Sequence, residues 1–380
     1  MQDFEEIRYY EGAEVNEALR QYVKHPMVKA LLQFTFPEKE FDAIEEIVLD
    51  CYSIEDFQSR VIYHTVAKVL EKSTEGLTYE GFDKLEKEES YFYISNHRDI
   101  ILDTSLLNYT LIDHDMVTTA SAIGDNLVQK PFLMALSRLN RNFLVKRGIS
   151  PREMLRSSQV LSGYVKKLLL QDGRSVWMAQ REGRTKDGSD VTQQGVLKML
   201  AMAKGGLSLA EYFAKLKIVP VAISYEFDPT DILKMPEILA KRMKETYVKS
   251  ANEDFNSIMQ GAVGNKGRIH ISAGEVLRLE DFEEAIAGEH SVNGQLKAIA
   301  SKIDEMIYEH YKLWPANYIA HDLLYNSEEY SDFYTSKEKR QFERRLTRRI
   351  DVKNALELNS YLLMYANPVI NKEALYEEKG

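Results

Sequence analysis

The stretch that decides the architecture is Tyr91-Phe92-Tyr93-Ile94-Ser95-Asn96-His97-Arg98-Asp99-Ile100-Ile101-Leu102-Asp103. Its first five residues form a short aromatic and β-branched run, which reads as a buried strand. The polar cluster that follows leads into a second apolar segment with Leu106, Leu107, Tyr109 and Leu111, which reads as a helix. The exit of a strand is a place where reactive side chains collect. A carboxylate held against one ring nitrogen of His97 across this turn would fix the tautomer, and the other nitrogen could then take a proton from an alcohol. Asp103 suits that role and Asp99 is its rival. The same residues also suit a plain helix cap.

Outward from this stretch, the segment 14–72 reads as helices punctuated by Pro26 and Pro37, with a turn at 73–76. Downstream, candidate strands at 91–95, 116–120, 142–146, 175–180, 217–224 and 268–272 alternate with helices at 102–111, 130–140, 151–171, 192–204 and 231–249. Beyond 273 the periodicity is again helical. The expected fold is α/β, a mixed sheet flanked by helices, with helical N- and C-terminal extensions. The expected division is an N-terminal helical region 1–76, a central catalytic domain 77–325 and a C-terminal helical extension 326–380.

Three further segments follow the first. Phe143-Leu144-Val145-Lys146-Arg147 is a strand ending in two cations, and the planar fork of Arg147 matches a phosphate. Gln180-Arg181-Glu182-Gly183-Arg184-Thr185-Lys186-Asp187-Gly188 also leaves an apolar strand. In it Gly183 permits close backbone approach, Arg184 and Lys186 supply positive charge, and Glu182 can orient a cation or a hydroxyl. Val219-Pro220-Val221-Ala222-Ile223-Ser224-Tyr225-Glu226 carries a proline that marks an edge or a strand start rather than a central ladder position.

Together these four segments resemble the blocks of the phospholipid/glycerol acyltransferase superfamily, which are His-x4-Asp, a block ending in Arg, Glu-Gly-x-Arg, and a block around Val-Pro. The resemblance runs over roughly residues 77–325, with Lys266 to Glu275 similar to the late strand and Gly-Glu turn of the family. It implies acyl transfer from a thioester, of coenzyme A or acyl carrier protein, to the hydroxyl of glycerol 3-phosphate or a lysophospholipid. It implies His97 as general base with Asp103 as its partner, Arg147 and Arg184 as phosphate ligands, and Glu182 and Gly183 in an acceptor pocket that Lys186 also serves. No cofactor or metal is implied. The continuation Ile223-Ser224-Tyr225-Glu226 is more similar to the glycerol-3-phosphate branch than to the lysophosphatidate branch. Two spacings depart from the family. Five residues separate His97 from Asp103, which a one-residue bulge at the helix start would absorb, and Arg184 follows Gly183 directly. These departures keep an aminolipid acceptor, or a non-catalytic lipid-binding or scaffolding role, as alternatives.

A net charge of −10, from 59 acidic and 49 basic residues, argues against nucleic acid as a partner. The single Cys51 excludes an internal disulfide and a Cys-rich zinc site. The acidic first residues lack the pattern of a leader, and no stretch reaches the roughly 18 apolar residues of a span. The expected location is cytoplasmic, peripheral at the inner face of the membrane. The basic segment 337–353 is a candidate contact with anionic lipid, although Phe342, Leu346 and Ile350 at fourfold spacing could instead pack on the protein. An acyl slot is expected among apolar helices such as Phe132 to Leu136, and oxyanion-stabilising amides near Asn96. Asp113-His114-Asp115 looks like a metal site, but neighbours in a chain seldom face one ion together.

Overall fold

The computed structural model describes residues 4–379. Its sheet contains β1 (Gly76–Glu80), β2 (Phe92–Ser95), β3 (Thr119–Gly124), β4 (Asn142–Val145), β5 (Ser175–Ala179), β6 (Ile218–Tyr225) and β7 (Arg268–Ala273), in the order β1-β7-β6-β2-β5-β3-β4. Every pairing is parallel except that of β6 with β7. Parallel neighbours need crossover connections, so helices cover both faces and the strands are buried on both sides. β2 shows the consequence. Phe92 and Ile94 enter one apolar core and Tyr93 enters the other, following the two-residue alternation of a strand.

The first core is shared with the helices at Ala13–Tyr22, Pro26–Thr35 and Phe41–Leu49 through Val15, Leu32 and Ile44. The second is closed by α1 (Leu102–Asp113) through Leu106, Leu107 and Leu111. The other helices that bear on the site are α2 (Pro151–Leu170), α3 (Asp231–Arg242), α4 (Glu253–Val263), α5 (Val292–His310), α6 (Pro315–Tyr325), α7 (Ser336–Arg349) and α8 (Ala355–Lys379). A third core joins α3, α6, α7 and α8 through Ile238, Ile319, Phe342 and Tyr361. Local signals set several of these ends. Ser150 with Glu153, and Thr335 with Glu338, form capping boxes, and Pro151 occupies the first turn of α2.

Four expectations need correction. The sequence reading contains no strand at 76–80, yet β1 forms there by parallel pairing with β7. It is an edge strand with four of five residues exposed, so it lacks the apolar pattern of a buried strand. β3 lies at 119–124 rather than 116–120, because its partner β4 engages it from Ser121 to Gly124. The helices expected at 192–204 and 231–249 stop at Leu200 and Arg242. The first passes into a 3-10 turn at Ala201–Ala203, and the second is followed by Lys244 at a φ of 60°. Finally, Pro220 lies in an interior strand. It sits opposite Ile94 of β2, while the β7 ladder begins one residue later at Val221. Its carbonyl accepts the Gly274 N–H at 2.8 Å, so its backbone faces the end of the β7 ladder and its missing N–H costs no bond to β2.

Because β2 to β6 run the same way, their C-terminal ends open on one edge of the sheet. The turns after them, at 96–101, 125–130, 146–150, 180–193 and 226–230, therefore meet there, where ligands of such sheets bind.

Candidate active site

At the end of β2 the backbone is pinned before it turns. The buried Asn96 side chain exchanges two hydrogen bonds with the Ile223 backbone, at 2.8 and 3.0 Å, extending the β2–β6 contact by one residue. His97 follows, with its ring edge-on to Trp177 at 5.7 Å between centroids. Its Nδ1 lies 2.8 Å from Asp103 Oδ2. That oxygen also accepts the backbone N–H groups of Arg98 and Asp99 at 2.7 and 3.0 Å, and Oδ1 accepts the Tyr225 hydroxyl at 3.0 Å. Asp103 is 0% exposed, and a buried carboxylate is tolerated only when its oxygens are satisfied in this way. Its oxygens offer lone pairs to Nδ1, so Nδ1 carries the proton and Nε2 is left as the basic nitrogen of the neutral ring.

The five-residue spacing has a simple geometry. Asp99 Oδ1 accepts the N–H groups of Ile101 and Leu102 at 3.0 and 2.9 Å and so caps α1, which leaves Asp103 in the first turn to reach back under the strand exit. Asp99 therefore does not contact His97. Its other oxygen is buried without a partner, against Gly261 of α4. Burial, with the nearby Asp103 charge, pushes the Asp99 carboxyl above its ordinary range. The amides after Asn96 also differ from expectation, since those of Arg98 and Asp99 are already bonded to Asp103 and not open to an oxyanion.

The other singled-out residues lie on the same edge. Arg147, after β4, forms an ion pair with Glu182, and its own N–H donates to Asp125 Oδ1 at 3.0 Å. The pair is half-open to solvent, the side chains being 33% and 66% exposed. Gly183 has a φ of 68° with nothing within 4 Å of where a Cβ would stand, so the turn needs a left-handed residue and leaves room beside it. Arg184 is buried and donates to the Thr230 hydroxyl at 3.3 Å. Lys186 pairs with Glu237 of α3 at 3.0 Å, and burial, with repulsion from Arg184, lowers its pKa. Between them, the Thr185 N–H donates to the His97 carbonyl at 2.8 Å, tying this loop to the His97 turn.

Several polar groups here were absent from the sequence reading. Nothing in the run around Tyr225 signals a role for it, yet its hydroxyl completes the Asp103 shell. Arg98 forms a buried ion pair with Asp190, and its guanidinium stands 5.5 Å from the centre of the Tyr311 ring. Lys234 is buried between the Arg98 carbonyl, at 2.9 Å, and Asp228. Burial alone would raise Asp228, but Lys234 and Thr230 outweigh it and hold the carboxyl at about 2. Charged residues 92 and 136 positions apart give no local signal, so no reading of spacing would have joined them.

Other candidates are placed elsewhere. Asp113, His114 and Asp115 diverge, to Tyr63, the Thr110 carbonyl and Lys87. Phe132 stacks on His25 at 4.3 Å, Leu139 belongs to the first core, and the half-buried Phe132, Leu133, Met134 and Leu136 pack against that core. In α7, Phe342 and Leu346 are buried, whereas Arg340, Arg344 and Arg348 are exposed. Among the described residues no helix is long and apolar enough to cross a membrane.

Comparison with known proteins gives one family. Residues 76–224 match the model of the family described as Acyltransferase. Among solved structures, the chain is similar to the 1-acyl-sn-glycerophosphate (LPA) acyltransferase PlsC from Thermotoga maritima. The two are 12% identical, the match covers 77% of this chain and 94% of that one, and the TM-score is 0.37. No curated protein matches the chain.

Proposed function

From a chain that carries an acyltransferase-family domain over residues 76–224, we propose that it moves a fatty acyl group from an acyl thioester to the hydroxyl of glycerol 3-phosphate or a lysophospholipid. His97 is the general base of this reading. The observation that carries it is the 2.8 Å contact between His97 Nδ1 and the buried Asp103, at the sheet edge where ligands of this architecture sit.

The acceptor hydroxyl gives its proton to His97 Nε2 as its oxygen attacks the thioester carbonyl carbon. Asp103, bonded to Nδ1–H, stabilises the imidazolium that forms. Collapse of the tetrahedral intermediate breaks the carbon–sulfur bond, and the imidazolium proton neutralises the departing thiolate. The phosphate of the acceptor is held by Arg147, Arg184 and Lys186, beside Glu182 and Gly183. Arg147 meets it by exchanging Glu182 for phosphate oxygens. A half-exposed ion pair is worth only about 0–1 kcal/mol, so little opposes that exchange. Coenzyme A or acyl carrier protein supplies the acyl group. Peripheral membrane contact is supported by the exposed Arg340, Arg344 and Arg348, one turn apart on α7 and suited to anionic lipid.

The test is product mass. Purified protein with vesicles, a long-chain acyl thioester and either acceptor should yield the acylated acceptor, and His97→Ala should lower kcat by about 10²–10⁴-fold. Full turnover by His97→Ala would remove His97 from the chemistry. Absence of any acylated product from the wild type would favour a lipid-binding role instead.

A further inference from the structure

The loop after β5 is held from two sides. On the sheet side, Thr185 is bonded to the His97 carbonyl and Asp190 to Arg98. On the other side stands α8, which lies outside the residues matched to the family. Asn367 Nδ2 donates to the Asp187 carbonyl at 2.6 Å, and Asn371 Nδ2 donates to the Ser189 carbonyl at 2.9 Å. The two asparagines are four positions apart and so share a helix face. Gly188, between the two carbonyls, has a φ of 78°, and a Cβ there would stand 2.4 Å from the Met364 carbonyl oxygen. Loop and helix thus meet backbone to backbone. Pro368 accounts for the form of this contact, since it has no N–H to donate to Met364 four residues earlier, and that carbonyl faces the loop instead. From α5, the Tyr308 hydroxyl lies 3.1 Å from the carbonyls of both Ser189 and Asp190.

The same C-terminal helices reach the β6 exit. Asp231, 0% exposed, receives Arg345, Arg349, Tyr361 and Tyr365, and Arg345 also donates to the Asp228 carbonyl at 2.9 Å. Asp228 holds Lys234, and Lys234 holds the Arg98 carbonyl next to His97.

We propose that α8 is a wall of the acceptor site, with Asn367 and Asn371 as positioning residues that fix the Asp187–Asp190 turn and thereby aim Arg184 and Lys186 at the acceptor. Its bearing on the acceptor rests on the acyl-transfer reading, whereas its bearing on the loop does not. Without the two amides the turn loses its fixed carbonyls on one side. The acceptor then meets a loop that must first be ordered, while the thioester side is untouched.

Two variants test this, the double change Asn367→Ala with Asn371→Ala, and the isosteric Asn367→Asp, which turns a donor into an acceptor facing a carbonyl. Amide hydrogen exchange across 181–193 should accelerate in both. The acceptor KM should rise about tenfold in the double variant, two hydrogen bonds being lost, and less in Asn367→Asp, which loses one, while the thioester KM stays within about twofold in both. Unchanged exchange in both variants overturns the inference whatever the activity. Faster exchange with an unchanged acceptor KM, or with equal rises in both KM values, overturns the role in acceptor binding. If the wild type makes no product, the acyl-transfer reading and with it the acceptor role fall, and exchange alone decides whether α8 holds the loop.

Discussion

The exit of β2 and the exits of β4 and β5 lie on one edge of the sheet but are built in opposite ways. At β2, each Asp103 oxygen is engaged, by the His97 ring, two amides and a tyrosine, and nothing there can move without stranding a buried charge. At β4 and β5, Arg147 and Glu182 face solvent and neutralise each other at little cost to separate. A proton-transfer group gains from being held in one orientation, whereas a group that grips a charged ligand must be able to let go of its resting partner. The roles proposed for His97 as base and Arg147 as phosphate ligand fit this division between a fixed and a compliant exit.

The sharpest way to break this contrast is Asp103→Asn. The amide keeps the shape but not the charge: with its one oxygen toward Nδ1 and the two backbone N–H groups, its NH2 falls where Asp103 Oδ1 accepts the Tyr225 hydroxyl, and an imidazolium at His97 loses its counter-charge. We expect kcat to fall by about 10³–10⁴-fold, as when the orienting carboxylate of a hydrolase triad is lost, together with a clear drop in melting temperature. Activity near the wild-type level would mean the carboxylate does not orient the base.

A smaller effect is expected from the compliant side. Arg147→Ala should raise the acceptor KM about tenfold with a near-normal melting temperature. Glu182→Gln should lower the KM or leave it, because the resting competitor for Arg147 is weakened. Equal damage from both changes would show that the ion pair itself, and not the freed cation, is what the site needs.

The far end of the β5 loop offers a pH test. Thr192 N–H donates to Asp304, whose carboxyl is raised by burial from 3.8 to about 7. The folded chain thus holds that proton more tightly than the unfolded chain. Its contribution to stability is complete below about pH 4 and is lost as pH rises toward and through about 7. Urea midpoints taken at about pH 5 and about pH 8 should differ less in Asp304→Asn than in the wild type. An identical pH dependence would mean that Asp304 titrates as an ordinary carboxyl. The smallest effect is expected at the surface, where changing Arg340, Arg344 and Arg348 to Gln should weaken sedimentation with anionic vesicles and leave turnover on a water-soluble acceptor unchanged.

Much of this was legible because it is local. The strands at 92–95, 142–145 and 175–179 are short apolar runs between polar turns, and α2 announces itself with Ser150, Pro151 and Glu153. His97 stood out because a polar cluster follows a buried strand. What stayed hidden depends on partners distant in the chain. β1 exists through β7, about 190 residues on, and Pro220 is acceptable inside the sheet only because of where the β7 ladder ends. Whether Asp99 or Asp103 meets His97 was open on spacing alone, and the start of α1 decided it.

By itself, the sequence determined the α/β alternation, the helical ends, and the set of polar turns in which chemistry could reside, since periodicity and turn residues act over a few positions. Only the tertiary structure decided that those turns share one edge, that Tyr225 completes the shell of Asp103, and that Asn367 and Asn371 reach the loop after β5. Hydrogen bonds between buried groups depend on distance in space, and chain separations of 122 to 182 residues leave no trace of it in the sequence.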